Sequence, residues 1–455
     1  MEFDNVPNAG GFTFNSSGAS SGQSAFGFSI RPDGIVNYDS HVQTFNVPII
    51  LNSYGGSTLD PSSRVTINAA AGGFNFTGNW SGGVPNKATF DINGGILAFS
   101  GPGNVTIGSA TTTGIIGSTS AGGSVEFNGT GTVTLNGTAA NTFTGGVNIN
   151  GQTVVANKAN ALGNGAPLVI RNNGVLQIGA NNQSLGGGSV ILGGLINGSS
   201  GIVFLTGSNN FQSGLGQAIF GGTGSVNKTG PNTFEFTRAN TFSGGLNING
   251  GTVKLSNTSG SGTGSGAVAI NSGGTLSGTG FSTGPLTLKS GGTLAAGAPL
   301  GNLTVGSSTW FGGSTLVFTM NSASGNAGAD PGWSTIHVNG ALDLQASSLS
   351  KILIDITSLT LSDTPGVVGD FNPNSAYDWL FVSASGGINN FATTDFGITT
   401  SQFNNSVYSG QFSVTEENNN TEIHITYIPE PSTAVLALLG GFGIMLGLNF
   451  RRVGK

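Results

Sequence analysis

From Arg64 onward the chain alternates apolar and polar residues in short runs, each broken by a glycine pair or by Asn-Gly: VTINAAAGGFNFTG, then ATFDINGGILAFSG, then NVTIGSATTTGIIG. Period-2 alternation bounded by such breaks predicts short strands joined by tight turns. The pattern then repeats itself. ANTFTGGVNINGQTVVAN, beginning at Ala140, returns as ANTFSGGLNINGGTVKLSN, beginning at Ala239, a shift of 99 residues. In each copy one face is apolar (Val147 and Ile149; Leu246 and Ile248) and the other carries amides (Asn148 and Asn150; Asn247 and Asn249). A finer step lies inside this unit: Ile270 aligns with Leu288 and Leu276 with Leu294 at 18 residues, Ile149 with Ile170 at 21, and Ile248 with Ile270 at 22. Apolar strands returning at this interval predict a solenoid, because one such unit cannot bury its apolar face alone. Twelve to fourteen rungs, roughly 4.8 Å apart, would make a rod of about 60 Å.

The NTFTGG and NTFSGG stretches, with the strands that flank them and the later GGTLAAGAPLGNLTVG segment, resemble the autotransporter-associated β-strand repeat. That resemblance implies a right-handed parallel β-helix. The departures from the pattern are Gln152, where the second glycine of Gly-Gly is expected, and the irregular stretch from Gly186 to Gly221.

Residues 1–60 space their aromatic, proline and charged residues irregularly and are expected to form an N-terminal cap or truncated rungs. Residues 61–308 are expected to form the repeat array. Residues 309–428 read as an acidic β-module, since eleven of the nineteen acids fall between Asp330 and Glu430 against one basic residue, Lys351. STLVFTM, STIHVNGALDL, KILIDITSL, YDWLFVSASG, QFSVTEE and TEIHITY are its predicted strands, and the module is expected to cap the rod.

Residues 429–455 stand apart. From Thr433 to Phe450 there is no charge, and Arg451, Arg452 and Lys455 close the run. As a helix, Ala434 to Phe450 would reach roughly 25 Å, close to the minimum for a bilayer crossing. The arginines then act as a stop-transfer signal, with Lys455 in the cytoplasm and the body outside. Pro429-Glu430-Pro431-Ser432, the apolar run and the basic pair together resemble the PEP-CTERM sorting tail of Gram-negative secreted proteins. The resemblance implies removal of the anchor near Pro429, Glu430, Pro431 and Ser432 by an exosortase-type membrane processing enzyme. The two prolines suit that role by holding the segment extended.

Composition narrows the function. There are 81 glycines without a Gly-X-Y period, and only 7% of residues are charged, so Asn, Ser and Thr must solvate the surface. A net charge of −6 without a basic cluster argues against nucleic acid. Without cysteine no disulfide or thiolate metal site forms. The opening MEFDNVPNAGGFTF has no basic or apolar leader, so a signal peptide is expected upstream of Met1.

Chemistry is sparse. His41, His337 and His424 are isolated in sequence, and GASSG at Gly18 to Gly22 matches G-x-S-x-G without the strand-turn-helix context that pattern needs. Between Ile92 and Ala329 the only acids are Glu126 and Glu235. Trp80, Trp310, Trp333 and Trp379 are expected in packing rather than as sugar platforms. The acids of the C-terminal module are expected as solvated charge rather than a calcium site, because the glycine-aspartate nonapeptide is missing. No catalytic residue, metal or cofactor is expected. The chain is read as a non-enzymatic exported structural protein of the cell surface or matrix, associated with exopolysaccharide and held transiently in the inner membrane. An adhesin for glycans or cells and a β-helical polysaccharide lyase or hydrolase are the alternatives.

Overall fold

The computed structural model describes residues 1–430 except 4–10, 16–27, 31–33, 52–62, 79–87, 93, 119–121, 164–166, 173, 180, 186–190, 199–201, 206–207 and 298; it does not describe 431–455. The GASSG match and Trp80 lie outside the described residues. So do Pro431, Ser432, the apolar run, Arg451, Arg452 and Lys455. Among the described residues no helix is long and apolar enough to cross a membrane. The described chain is all-β apart from one 3-10 turn, Thr393–Asp395.

It divides into two units, Met1–Leu294 with Thr304–Ser308, and Ala295–Leu303 with Thr309–Lys455. The first is a stack of parallel strands in three sheets. One sheet runs through thirteen described strands, from Glu2–Phe3 to Leu286–Leu288. A second runs beside it from Thr13–Asn15 to Gly274–Gly278. Register follows the apolar repeat: Ile149 pairs with Ile170, Ile248 with Ile270, and Ile270 with Leu288. Val147, Ile149, Leu246, Ile248, Ile270, Leu276, Leu288 and Leu294 are all buried. The described strands before position 60 join the same ladders, with Ile35 on Ile67 and Phe45 on Phe76. Their interior is aromatic: Phe14, Phe45 and Phe76 stack in file at 4.8 and 5.2 Å between ring centres.

Two features depart from a uniform coil. Ile191–Gly198 and Ser208–Gly216 are long strands that serve two neighbours each. Ile191 and Leu192 continue the first sheet, while Leu195 to Gly198 continue the second. The corner between the sheets is therefore opened out in the stretch where the repeat is irregular. The third sheet is also interrupted. It stacks Phe28–Ile30, Ile49–Leu51, Ala88–Asp91 and Ile115–Gly117, stops, and resumes with Gln183–Leu185, Ile202–Leu205 and Ile219–Gly222.

The second unit also begins with parallel pairs, Thr315–Met320 on Ile352–Ser358 and the latter on Phe396–Gln402. It ends differently. Tyr377–Ala384 is antiparallel to Glu422–Ile428, which is antiparallel to Gln411–Glu417. Trp310, Phe318, Trp379, Phe381 and Tyr427 are buried in it. Asp370 ties a loop down by accepting hydrogen bonds from Ser322 Oγ (2.7 Å), Ala323 N (2.8 Å), and Ser324 N (3.0 Å) and Oγ (2.5 Å). Burial opposes its charge, and these hydrogen bonds outweigh that, holding its pKa near 2.

Candidate functional site

The repeat motif sits where the third sheet stops. The last strand of an interrupted sheet presents backbone N–H groups with no strand above them, and a buried N–H must find an acceptor. In the first copy Ile116 N–H donates to Asn141 Oδ1 at 2.8 Å, and Asn141 Nδ2 donates upward to Ala161 O at 2.5 Å. In the second copy Phe220 N–H donates to Asn240 Oδ1 at 2.8 Å, and Asn240 Nδ2 donates to Gly262 O at 2.5 Å. One side-chain amide thus replaces a strand and links three rungs. Two residues on, Phe143 and Phe242 turn inward and are buried. The glycine pair closes the turn. A Cβ at Gly145 would lie 2.6 Å from Gly123 O, and Gly146 has φ +130, so neither position admits a larger residue without strain.

Two lysines are buried nearby without an acidic partner. Lys158 Nζ donates to Gly114 O (2.5 Å) and Asn141 Oδ1 (2.7 Å), and burial lowers its pKa to about 7. Lys228 takes an inward position between Phe211 and Ile248. Its Nζ reaches a corner and donates to Thr229 O (3.0 Å), Gly230 O (2.9 Å) and Gly250 O (3.0 Å). Gln152 serves the matching corner of the first copy, where its Oε1 accepts from Gly129 N at 3.1 Å. Gln152 is therefore a corner filler. Residue type alone marks both lysines as surface groups, but alternation sets Lys228 on the inward face with Val226, and a lysine in that otherwise apolar column was the available signal.

The outer faces are rows of amides and hydroxyls. Asn172 Nδ2 donates to Asn150 Oδ1 (2.5 Å), whose Nδ2 donates to Asn128 Oδ1 (3.4 Å). Asn271 bonds Asn249 (2.8 Å), Asn247 bonds Asn227 (3.1 Å), Asn157 bonds Asn136 (2.9 Å), and Asn46 bonds Asn15 (2.6 Å). On the second sheet Thr233, Thr252 and Thr275 stand in file. Of the acids of the array, Glu126 pairs with Arg64 at 2.7 Å and Glu235 with Lys254 at 3.2 Å.

His41 meets a carboxylate two residues before it, while His337 and His424 also find partners across strands. His41 Nδ1 lies 2.8 Å from Asp39 Oδ1, and His337 Nδ1 lies 2.8 Å from Ser383 Oγ on the paired strand. His424 meets three carboxylates. Its Nδ1 is 2.7 Å from Asp378 Oδ1 and 4.0 Å from Glu417 Oε2, and its Nε2 is 3.2 Å from Glu422 Oε2. When both ring nitrogens carry protons, each donates to a carboxylate. Trp310 and Trp379 are buried; Trp333 Nε1 donates to Leu380 O at 2.8 Å. Of the sorting residues, Pro429 and Glu430 are described. They follow the last strand directly and line an open groove of about 260 Å3 with Ser409, Gln411, Ser413 and Ile428.

Two stretches, residues 128–155 and 226–255, match the family model of the passenger-associated transport repeat. They hold the two copies of the asparagine turn. This repeat occurs in exported passenger domains of autotransporters. No curated protein matches the chain.

Proposed function

We propose that the protein is a non-enzymatic, exported structural protein of the cell surface or extracellular matrix, built on a right-handed parallel β-helix. Its outer face associates with exopolysaccharide. The observation that carries this is the files of outward amides and hydroxyls, which offer neutral donors and acceptors at the strand spacing along the stack. Many weak bonds of this kind hold a long polymer better than a small ligand. The pairing of Glu126 and Glu235 with cations supports the non-enzymatic reading of those two strands. The passenger-type repeats support export.

The tail supplies the route. Ala434 to Phe450 crosses the inner membrane as a helix, Arg451, Arg452 and Lys455 stop transfer, and an exosortase-type enzyme cuts near Pro429, Glu430, Pro431 and Ser432. The direct exit of Pro429 and Glu430 from the last strand, with Glu430 exposed, supports access to that segment. Mass spectrometry of the surface-released protein tests it: a C-terminus between Pro429 and Ser432 is expected, and one at Lys455 would refute the sorting reading. For the body, retention on the producing cell's own exopolysaccharide is expected, and loss of it without effect on the protein's surface location would refute the polysaccharide association.

A further inference from the structure

We propose that His424 is a proton-operated clasp that holds the terminal hairpin of the second unit shut. The hairpin pairs Gln411–Glu417 with Glu422–Ile428, and its register sets Glu417 directly opposite Glu422. Like charges facing each other across an antiparallel pair are destabilising. The turn between them adds strain, because Asn418, Asn419 and Asn420 all have positive φ, at 52, 56 and 63. Asp378 brings a third carboxylate from the neighbouring strand Tyr377–Ala384.

His424 lies within 4.0 Å of all three. It is next to Glu422 on the same face of its strand, and its ring spans the hairpin: Nε2 to Glu422 at 3.2 Å, Nδ1 to Asp378 at 2.7 Å and to Glu417 at 4.0 Å. The groups facing it are therefore Asp378 from one neighbouring strand, Glu417 from the other and Glu422 from its own. Asn418 Nδ2 also donates to Glu422, but an amide carries no charge. When the imidazolium loses its proton, one N–H remains among three carboxylates, and the Glu417–Glu422 repulsion is no longer offset. The strand so loosened is the one that runs into Pro429.

The sign is fixed by the environment. Partial burial opposes the charged ring, but the hydrogen bonds to Asp378 and Glu422 and the charges of Asp378 and Glu417 outweigh it, so the pKa is raised above 6.5. A raised folded-state pKa gives stability that is fully present below the unfolded value and is lost as pH rises through the folded one. The clasp is closed in mild acid and opens in mild base.

The test is amide hydrogen exchange of the full chain from pH 5.5 to 9, corrected for intrinsic exchange chemistry and read on Glu422–Ile428. Protection is expected to fall at least several-fold across this range. His424→Gln, which keeps a neutral donor, should show low and flat protection, while His337→Gln, which removes a histidine held by a hydroxyl, should keep the wild-type dependence. Glu417→Gln should raise protection at high pH by relieving the repulsion. Flat wild-type protection, or a dependence that survives in His424→Gln, overturns the proposal.

Discussion

The two copies of the asparagine turn do the same backbone task with different neighbours. Asn141 and Asn240 each take an N–H from the rung below and give one to a carbonyl above. In the first copy, however, Asn141 Oδ1 also receives the buried ammonium of Lys158. The position aligned with Lys158 in the second copy is Asn257, whose amide donates to Ser259 O, Gly260 O and Phe281 O and accepts from Phe281 N. At aligned positions a charge thus reaches back to earlier rungs in one copy and an amide reaches forward in the other. The corners differ in the same manner, with Gln152 reaching back in one copy and Lys228 reaching forward in the other. The turn is held by which backbone groups need partners, and the repeat tolerates any side chain that supplies them.

The strongest way to break this equivalence is at the asparagines. Asn141→Ala strands an N–H, a carbonyl and a buried ammonium, and is expected to cost about 4 kcal/mol, whereas Asn240→Ala strands only the first two and should cost about 2–3 kcal/mol. Urea unfolding of both variants measures the gap; equal losses would mean that Lys158 does not depend on Asn141.

Titration separates the copies next. Lys158 has a folded pKa of about 7 against 10.5 for the ordinary side chain. Between these values the unfolded chain binds more protons, so stability should climb as pH rises from 7 toward 10.5, by on the order of 5 kcal/mol from this residue. Lys158→Asn, which copies Asn257, should remove that climb in a difference curve against wild type. A parallel pair of curves would show that Lys158 is not the source.

The corners carry less. Lys228→Met keeps the inward stem and removes the donor from three carbonyls, for about 1–2 kcal/mol. Gln152→Gly, which copies Gly251, exposes Gly129 N–H and should cost about 1 kcal/mol by the same measurement. Smallest of all, Asn271→Ala cuts an exposed amide file and should change stability by less than about 0.5 kcal/mol. A larger loss would make the outer rows part of the scaffold rather than a surface.

Much of the array is legible along the chain. Alternation named the buried side chains, and the 18- to 22-residue returns named the strand partners, as Ile270 on Leu288 shows. In the C-terminal unit six strands were readable, but Asn302–Phe311 and Phe396–Gln402 were not, their burial being too broken to alternate cleanly. The candidate site was half legible: NTFTGG was visible as a repeat, but not that its asparagine ends a sheet.

What the sequence by itself determined is therefore the apolar column, because period-2 burial is a property of neighbours in the chain. Only the tertiary structure decided the fate of the polar groups. Lys158 reaches a carbonyl 44 residues back, Asn141 joins groups 25 residues before and 20 after it, and His424 meets Asp378 across 46. A buried donor takes whichever acceptor the stacking of rungs or strands brings within 3 Å, and that distance is set by pairing register, which local alternation does not encode.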